Sequence, residues 1–217
     1  MVNNYSVKMK EIQRSFFNEK YKDKGTQDFL LKVILATHCI ESLRISKVIK
    51  SLGLNDSPLV LDAGCGDNSL CFTHATNSKS DVVGVDISGN GLERARINGA
   101  KIGFRGQFEP LIADVEYLPF RVQVFDVVVN SMNLEHVPYP KQVLIEACRV
   151  LKTEGKLLVY TVNKNYTLRG FHERIFPEHL KSMGHSEDRM FRFEDIKKIY
   201  EERDLVVEER AYVFNLI

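Results

Sequence analysis

Short apolar runs alternate with longer amphipathic stretches along most of this chain. Leu59-Val60-Leu61, Val82-Val83-Gly84-Val85 and residues 124–129 are almost wholly apolar, the pattern of strands buried on both faces. Residues 157–162 read as another such strand and residues 110–113 as a short one. Between them lie segments of helical length. One covers 89–98, with Ser88 as its N-cap, and one covers 138–151, with Val143, Leu144, Ala147, Val150 and Leu151 on a single face. Residues 193–203 predict a last helix, and 205–213 a last strand. Strands alternating with helices predict an α/β fold, a Rossmann-like doubly wound and mostly parallel sheet flanked by helices.

Residues 1–57 precede the first strand and predict an N-terminal helical cap on a domain spanning 58–217. From Phe29 to Leu52 the apolar residues recur at steps of three and four, and Gly53 and Pro58 close the region. Tyr5, Phe16, Phe17 and Tyr21 fall on an earlier helix, where packing on the sheet edge and contact with a ligand are both open.

The chemistry concentrates in residues 59–86. The first strand runs into Asp62-Ala63-Gly64-Cys65-Gly66-Asp67-Asn68, and Asp86 ends the second strand about 20 residues past that turn. Gly64 and Gly66 permit a sharp turn and close approach by a ligand. An acid at the end of the second strand can accept hydrogen bonds from both hydroxyls of a ribose. Asp62 then narrows the choice of nucleoside. A carboxylate two residues before the first glycine repels a pyrophosphate, and Ser69 stands where a dinucleotide fingerprint has its third glycine. A sulfonium or ammonium group is instead attracted by that carboxylate.

These residues resemble the class I S-adenosylmethionine-dependent methyltransferases, in the small-molecule branch that includes quinone methylases. VLDAGCG is similar to their first motif and VVGVDIS to their second, with Asn68 where another glycine is common. Residues 113–120, ADVEYLPF, resemble the adenine-binding motif, and EACRVLKTEGKLLVYTVN the usual helix-turn-strand, with Glu154 in place of a common proline. The resemblance covers residues 58–163 with specific motifs and 190–213 more loosely. It implies S-adenosylmethionine as cofactor, with S-adenosylhomocysteine as product. Asp62, Gly64, Cys65 and Gly66 would hold the amino-acid part, and Asp86 with Ile87 the ribose. Asp114 would take the adenine amino group, the Val115 N–H the ring, and Asn130 would lie beside the methionine moiety. The family normally closes with one more antiparallel strand, which in a chain ending at Ile217 is reduced or cut short.

Methyl transfer from a sulfonium needs alignment and water exclusion more than acid–base chemistry, so few residues are obligatory. His136 follows the fourth strand, where an acceptor would enter, and an imidazole suits proton removal near neutral pH. A loop-shaping role is its alternative. Tyr21, Tyr166, His172 and His185 are the acceptor-contact candidates, the last three in a polar-aromatic insertion over 163–192.

The 217 residues, 44% apolar and 27% charged, suit a single globular domain. A formal net charge of +1 gives no general attraction to nucleic acid or to anionic membranes. No apolar stretch reaches membrane-spanning length and no signal-peptide core opens the chain, so cytoplasm is the expected location. Cys39, Cys65, Cys71 and Cys148 form no CxxC pair, and the histidines are too scattered for a metal site. The expected function is methyl transfer to a small molecule. The alternatives are a protein or RNA methyltransferase, or a non-catalytic regulatory protein that retains the fold.

Overall fold

The computed structural model describes residues 4–22, 57–67, 80–101, 104, 106–164 and 190–208. Helix α1 (Asn4–Lys22) comes first, as the aromatic-bearing N-terminal segment predicts. The helical pattern between Phe29 and Leu52 lies outside the described residues, as do Asn68 and Ser69.

Five parallel strands follow: β1 (Leu59–Ala63), β2 (Asp81–Asp86), β3 (Phe108–Ile112), β4 (Phe125–Ser131) and β5 (Leu151–Tyr160). Their order across the sheet is β3-β2-β1-β4-β5. The chain therefore winds outward from β1 in one direction, then returns to its other side. Such a reversal opens a crevice at the carboxyl ends of β1 and β4.

The apolar runs are strands because both of their faces are covered. Leu61, Ala63, Val85 and Val128 face helices α3 (Pro140–Val150) and α4 (Phe193–Glu201), joining Leu144, Ala147, Ile199 and Tyr200 in one cluster. Val60, Val82, Val127 and Val129 form the opposite face, with Phe104 and Phe108 against them. Helix α2 (Gly89–Lys101) packs on β2 and β3, and on α1. Ser88 caps α2 as expected: its Oγ accepts the Gly91 N–H at 3.1 Å.

Two expectations meet a different structure. The sequence predicts a turn over residues 152–156 before a fifth strand at 157–162, but β5 already begins at Leu151, which pairs with Phe125. The register then jumps, so that Val127 faces Lys156, and Glu154 takes a left-handed φ of 63°. The turn chemistry is real, but it makes a bulge inside one strand. At the far end, Leu205–Glu208 of the expected last strand are not in a strand, and 209–213 lie outside the described residues. Helix α4 also stops at Glu201, where Asp204 has a φ of 59°.

Candidate active site

The site is built from the loops that leave the carboxyl ends of β1, β2, β3 and β4. After β1 the backbone turns at once: Gly64 and Gly66 have φ of 80° and 54°. The N–H groups of Gly64 and Cys65 both point to the Val85 carbonyl, at 2.7 and 3.1 Å. A Cβ at Gly64 would stand 1.9 Å from the Asn133 Nδ2, which donates to the Ala63 carbonyl at 2.5 Å. The glycine thus lets the β4 loop close directly over the end of β1. Asp62 is buried at the end of β1, in register with Gly84 and Val129.

Asp86 organises the turn from the neighbouring strand. Its Oδ2 accepts the Gly66 N–H at 2.9 Å and its Oδ1 the Ser88 N–H at 2.8 Å. Burial pushes its pKa up, and the backbone bonds from Ser88, Gly66 and Ile87 pull it down by less. Ser88 in turn donates to Asn18 Oδ1 on α1 at 2.7 Å, and Asn90 Nδ2 donates to the Asn18 carbonyl at 3.1 Å.

After β3, Asp114 accepts the Glu116 N–H on Oδ1 at 2.9 Å, and its Oδ2 lies 2.5 Å from Lys10 Nζ of α1. Val115 is buried beside it. Glu116 is wholly buried: Oε1 accepts the Tyr139 N–H at 2.6 Å, and Oε2 lies 2.6 Å from the same Lys10 ammonium, in the geometry of an ion pair rather than an aligned hydrogen bond. Burial opposes the charge on Lys10, but bonds to Asp114 and Glu116 outweigh it and raise its pKa. The next turn of this loop is clamped by α3, where Glu146 accepts the Leu118 N–H and Arg149 donates to the carbonyls of Leu118 and Phe120.

After β4 comes Met132 at a φ of 50°, then a 3-10 turn, Leu134–His136. Asn130 pairs with Ala63 across the β1–β4 seam and is fully buried, and among the described residues neither polar atom of its amide has a hydrogen-bond partner. The His136 ring meets the Phe17 ring of α1 edge-on at 5.3 Å. Glu135 is fully buried, and Thr161 Oγ1 donates to it at 3.3 Å. Burial raises its carboxyl pKa to about 7. An unfolded Glu releases its proton near its ordinary pKa of 4.5, whereas the folded one holds it to about 7, so stability falls as pH rises through that window and stays low above it. Glu135→Gln is expected to leave stability at pH 4 nearly unchanged. At pH 8 it is expected to raise stability by up to about 3 kcal/mol, read by urea denaturation at the two pH values.

The structure brings Gly64, Cys65, Gly66, Asp86, Ile87, Asp114 and Val115 to one end of the sheet, with Asn130 at the adjoining seam and His136 across the β4 loop. Tyr21 falls in α1 with its side chain outside the described ones, and Tyr166, His172 and His185 lie outside the described residues. Neither Cys65 nor Cys148 is in a disulfide, and burial pushes Cys148 up to about 11, which leaves it unreactive. Sequence reasoning did not single out Lys10, Asn18, Asn133 or Thr161. Only Asn133, a polar residue just past an apolar strand, left a local sign. No described helix is long and apolar enough to cross a membrane, and no described group of His, Cys, Asp or Glu forms a metal cluster.

Comparison with known proteins agrees with this fold. A ubiquinone biosynthesis O-methyltransferase of Neisseria meningitidis is 30% identical over 170 residues, covering 74% of this chain and 65% of that protein. The mitochondrial protein of the same description from Candida albicans is 36% identical over 123 residues, 52% of this chain and 35% of its own length. The chain thus spans about a third to two-thirds of these relatives. Among solved structures, the magnesium protoporphyrin IX methyltransferase of Synechocystis with bound S-adenosylhomocysteine superposes with a TM-score of 0.71. It is 20% identical, over 89% of this chain and 88% of that one, a likeness of fold. Residues 54–204 match the family described as a methyltransferase domain. The chain belongs to that family and has the Rossmann-like architecture of class I S-adenosylmethionine-dependent methyltransferases.

Proposed function

We propose that this protein binds S-adenosylmethionine at the carboxyl ends of β1, β2 and β3 and transfers its methyl group to the oxygen of a small-molecule acceptor. The observation that carries this reading is the placement of Asp62, Asp86 and Asp114 at or just past three successive strand ends, around the positive-φ glycine turn. Three carboxylates repel a phosphate-bearing cofactor and suit one that carries an ammonium, a sulfonium and a nucleoside. Fit is further supported by Asn130, whose buried amide would otherwise leave polar atoms unpaired at some cost.

In this reading Asp62, Gly64, Cys65 and Gly66 line the amino-acid end. Asp86 and Ile87 line the ribose, Asp114 and Val115 the adenine, and Asn130 the methionine moiety. Bound there, the cofactor supplies an already activated methyl group. The chain's own part is then to orient the acceptor and keep water away. His136 is proposed to take the acceptor's proton, since an imidazole titrates near neutrality and Phe17 fixes this ring at the mouth of the β4 loop. An oxygen acceptor is supported by the relatives described as O-methyltransferases of ubiquinone biosynthesis, and a planar phenol suits the adjoining aromatic rings of Phe17 and His136. The helical cap over 1–57 and the domain over 58–217 act as one unit in this account.

The test is turnover. Incubation with S-adenosylmethionine and a panel of catechols and hydroquinones is expected to yield methylated product and S-adenosylhomocysteine, detected by mass spectrometry. Cofactor binding without turnover on any phenol, amine or thiol would favour a regulatory protein that keeps the fold.

A further inference from the structure

We propose that Lys10 is a cofactor-site residue, an inference that rests on Asp114 being the adenine acceptor. Reaching in from α1, its ammonium fixes the Asp114 carboxylate for the adenine amino group and links docking of α1 to cofactor occupancy.

Asp114 is held at both oxygens. The Glu116 N–H binds Oδ1 and Lys10 binds Oδ2, so the side chain is locked in one rotamer. Each carboxylate oxygen can accept two hydrogen bonds, and the Asp114 side chain remains 29% exposed, so capacity is left for an incoming N–H. An acceptor held in place before the ligand arrives avoids the entropy of ordering it afterwards.

Lys10 also serves the fully buried Glu116, and among the described residues it is the cation paired with that carboxylate. Without it two carboxylates separated by one residue face each other, one of them without solvent, and the loop that carries Asp114 loses the charge that holds it together. The ammonium lies 4.9 Å from the centre of the Tyr117 ring, a third contact with the same loop.

The helix that carries Lys10 touches the neighbouring loops too. Asn18 binds Ser88 and Asn90 beyond β2, and Phe17 meets His136 beyond β4. Helix α1 therefore reaches the loops after β2, β3 and β4 at once. If its lysine sets the adenine acceptor, linkage requires the reverse as well: bound cofactor must hold α1 down.

The experiment uses the full chain, with S-adenosylhomocysteine as probe. Calorimetric titration of wild type, Lys10→Met, Lys10→Arg, Asn18→Ala and Asp86→Ala is combined with hydrogen exchange of residues 4–22 with and without the probe. The expected result is a tenfold or greater loss of affinity in Lys10→Met, recovery in Lys10→Arg, and protection of α1 by the probe in wild type that Lys10→Met abolishes. Affinity in Lys10→Met within twofold of wild type overturns the proposal, as does α1 exchange indifferent to the probe. Asn18→Ala loosens the same helix away from Asp114, and an equal loss of affinity there assigns the effect to the helix and overturns the role of the lysine. Wild-type binding that survives Lys10→Met but is lost in Asp86→Ala removes only this proposal. A wild type that binds no probe removes the cofactor reading with it.

Discussion

Asp86→Ala is expected to weaken S-adenosylhomocysteine binding at least a hundredfold, about 2.7 kcal/mol, in a calorimetric titration. Two losses combine. The proposed ribose acceptor disappears, and so do the bonds that fix the turn it faces, because Asp86 accepts the N–H groups of both Gly66 and Ser88. Those two N–H groups would lose their carboxylate partner. Asp86→Asn separates the contributions, since an amide keeps one acceptor oxygen but cannot accept at both positions. Its affinity should fall between wild type and alanine. Acidification mimics the loss: burial raises the Asp86 pKa, so wild-type affinity should decline on acidification before that of an ordinary carboxylate site would. Equal affinity in wild type and Asp86→Ala would remove the nucleoside from this crevice.

Gly64→Ala should have the largest effect on stability, a loss of about 4 kcal/mol seen as a lowered thermal midpoint. Its φ of 80° already disfavours any side chain, and the added Cβ would fall 1.9 Å from the Asn133 amide and 2.8 Å from the Asn133 Cβ. Asn133 can retreat only by giving up its bond to the Ala63 carbonyl, which moves the loop bearing His136. Gly64→Ala combined with Asn133→Gly removes the clashing side chain, Cβ included, but not the backbone strain, so the double variant should recover part of the loss. Full recovery would show that φ carries no cost there.

The fold was legible because its central strands β1, β2 and β4 lie buried on both faces and so read as nearly unbroken apolar runs, as in Val127-Val128-Val129. Asp62, Gly64, Asp86 and Asp114 were legible for a related reason. Each follows or ends such a run at a spacing that local geometry dictates. The start of β5 was not legible, because Lys152-Thr153-Glu154-Gly155 has turn chemistry wherever it occurs. Only pairing of Leu151 with Phe125 shows that the chain has already joined the sheet. Lys10 and Asn18 were illegible for a stronger reason. On a largely polar helix they are two polar residues among many, and their partners Asp114 and Ser88 lie 104 and 70 residues away. Glu116 was visible as an acid, but its burial comes from Tyr139 and Lys10 arriving from opposite directions in the chain.

The strand order has a kinetic consequence. β1 pairs with β2 and β2 with β3, and β4 with β5, so each half of the sheet forms from neighbours in sequence. Among the described strand pairs, only the β1–β4 seam joins distant segments: Leu59 donates its N–H to Asp126 across 67 steps of chain. Closing that loop costs entropy before any contact repays it, so the seam is the slow event of assembly. The crevice exists only once the seam has closed. A ligand that reaches from the ends of β1, β2 and β3 to Asn130 on β4 is therefore bound more tightly by the finished sheet than by the first half alone, and at saturating concentration it acts as a clasp against reopening the molecule along the line where its two halves met last.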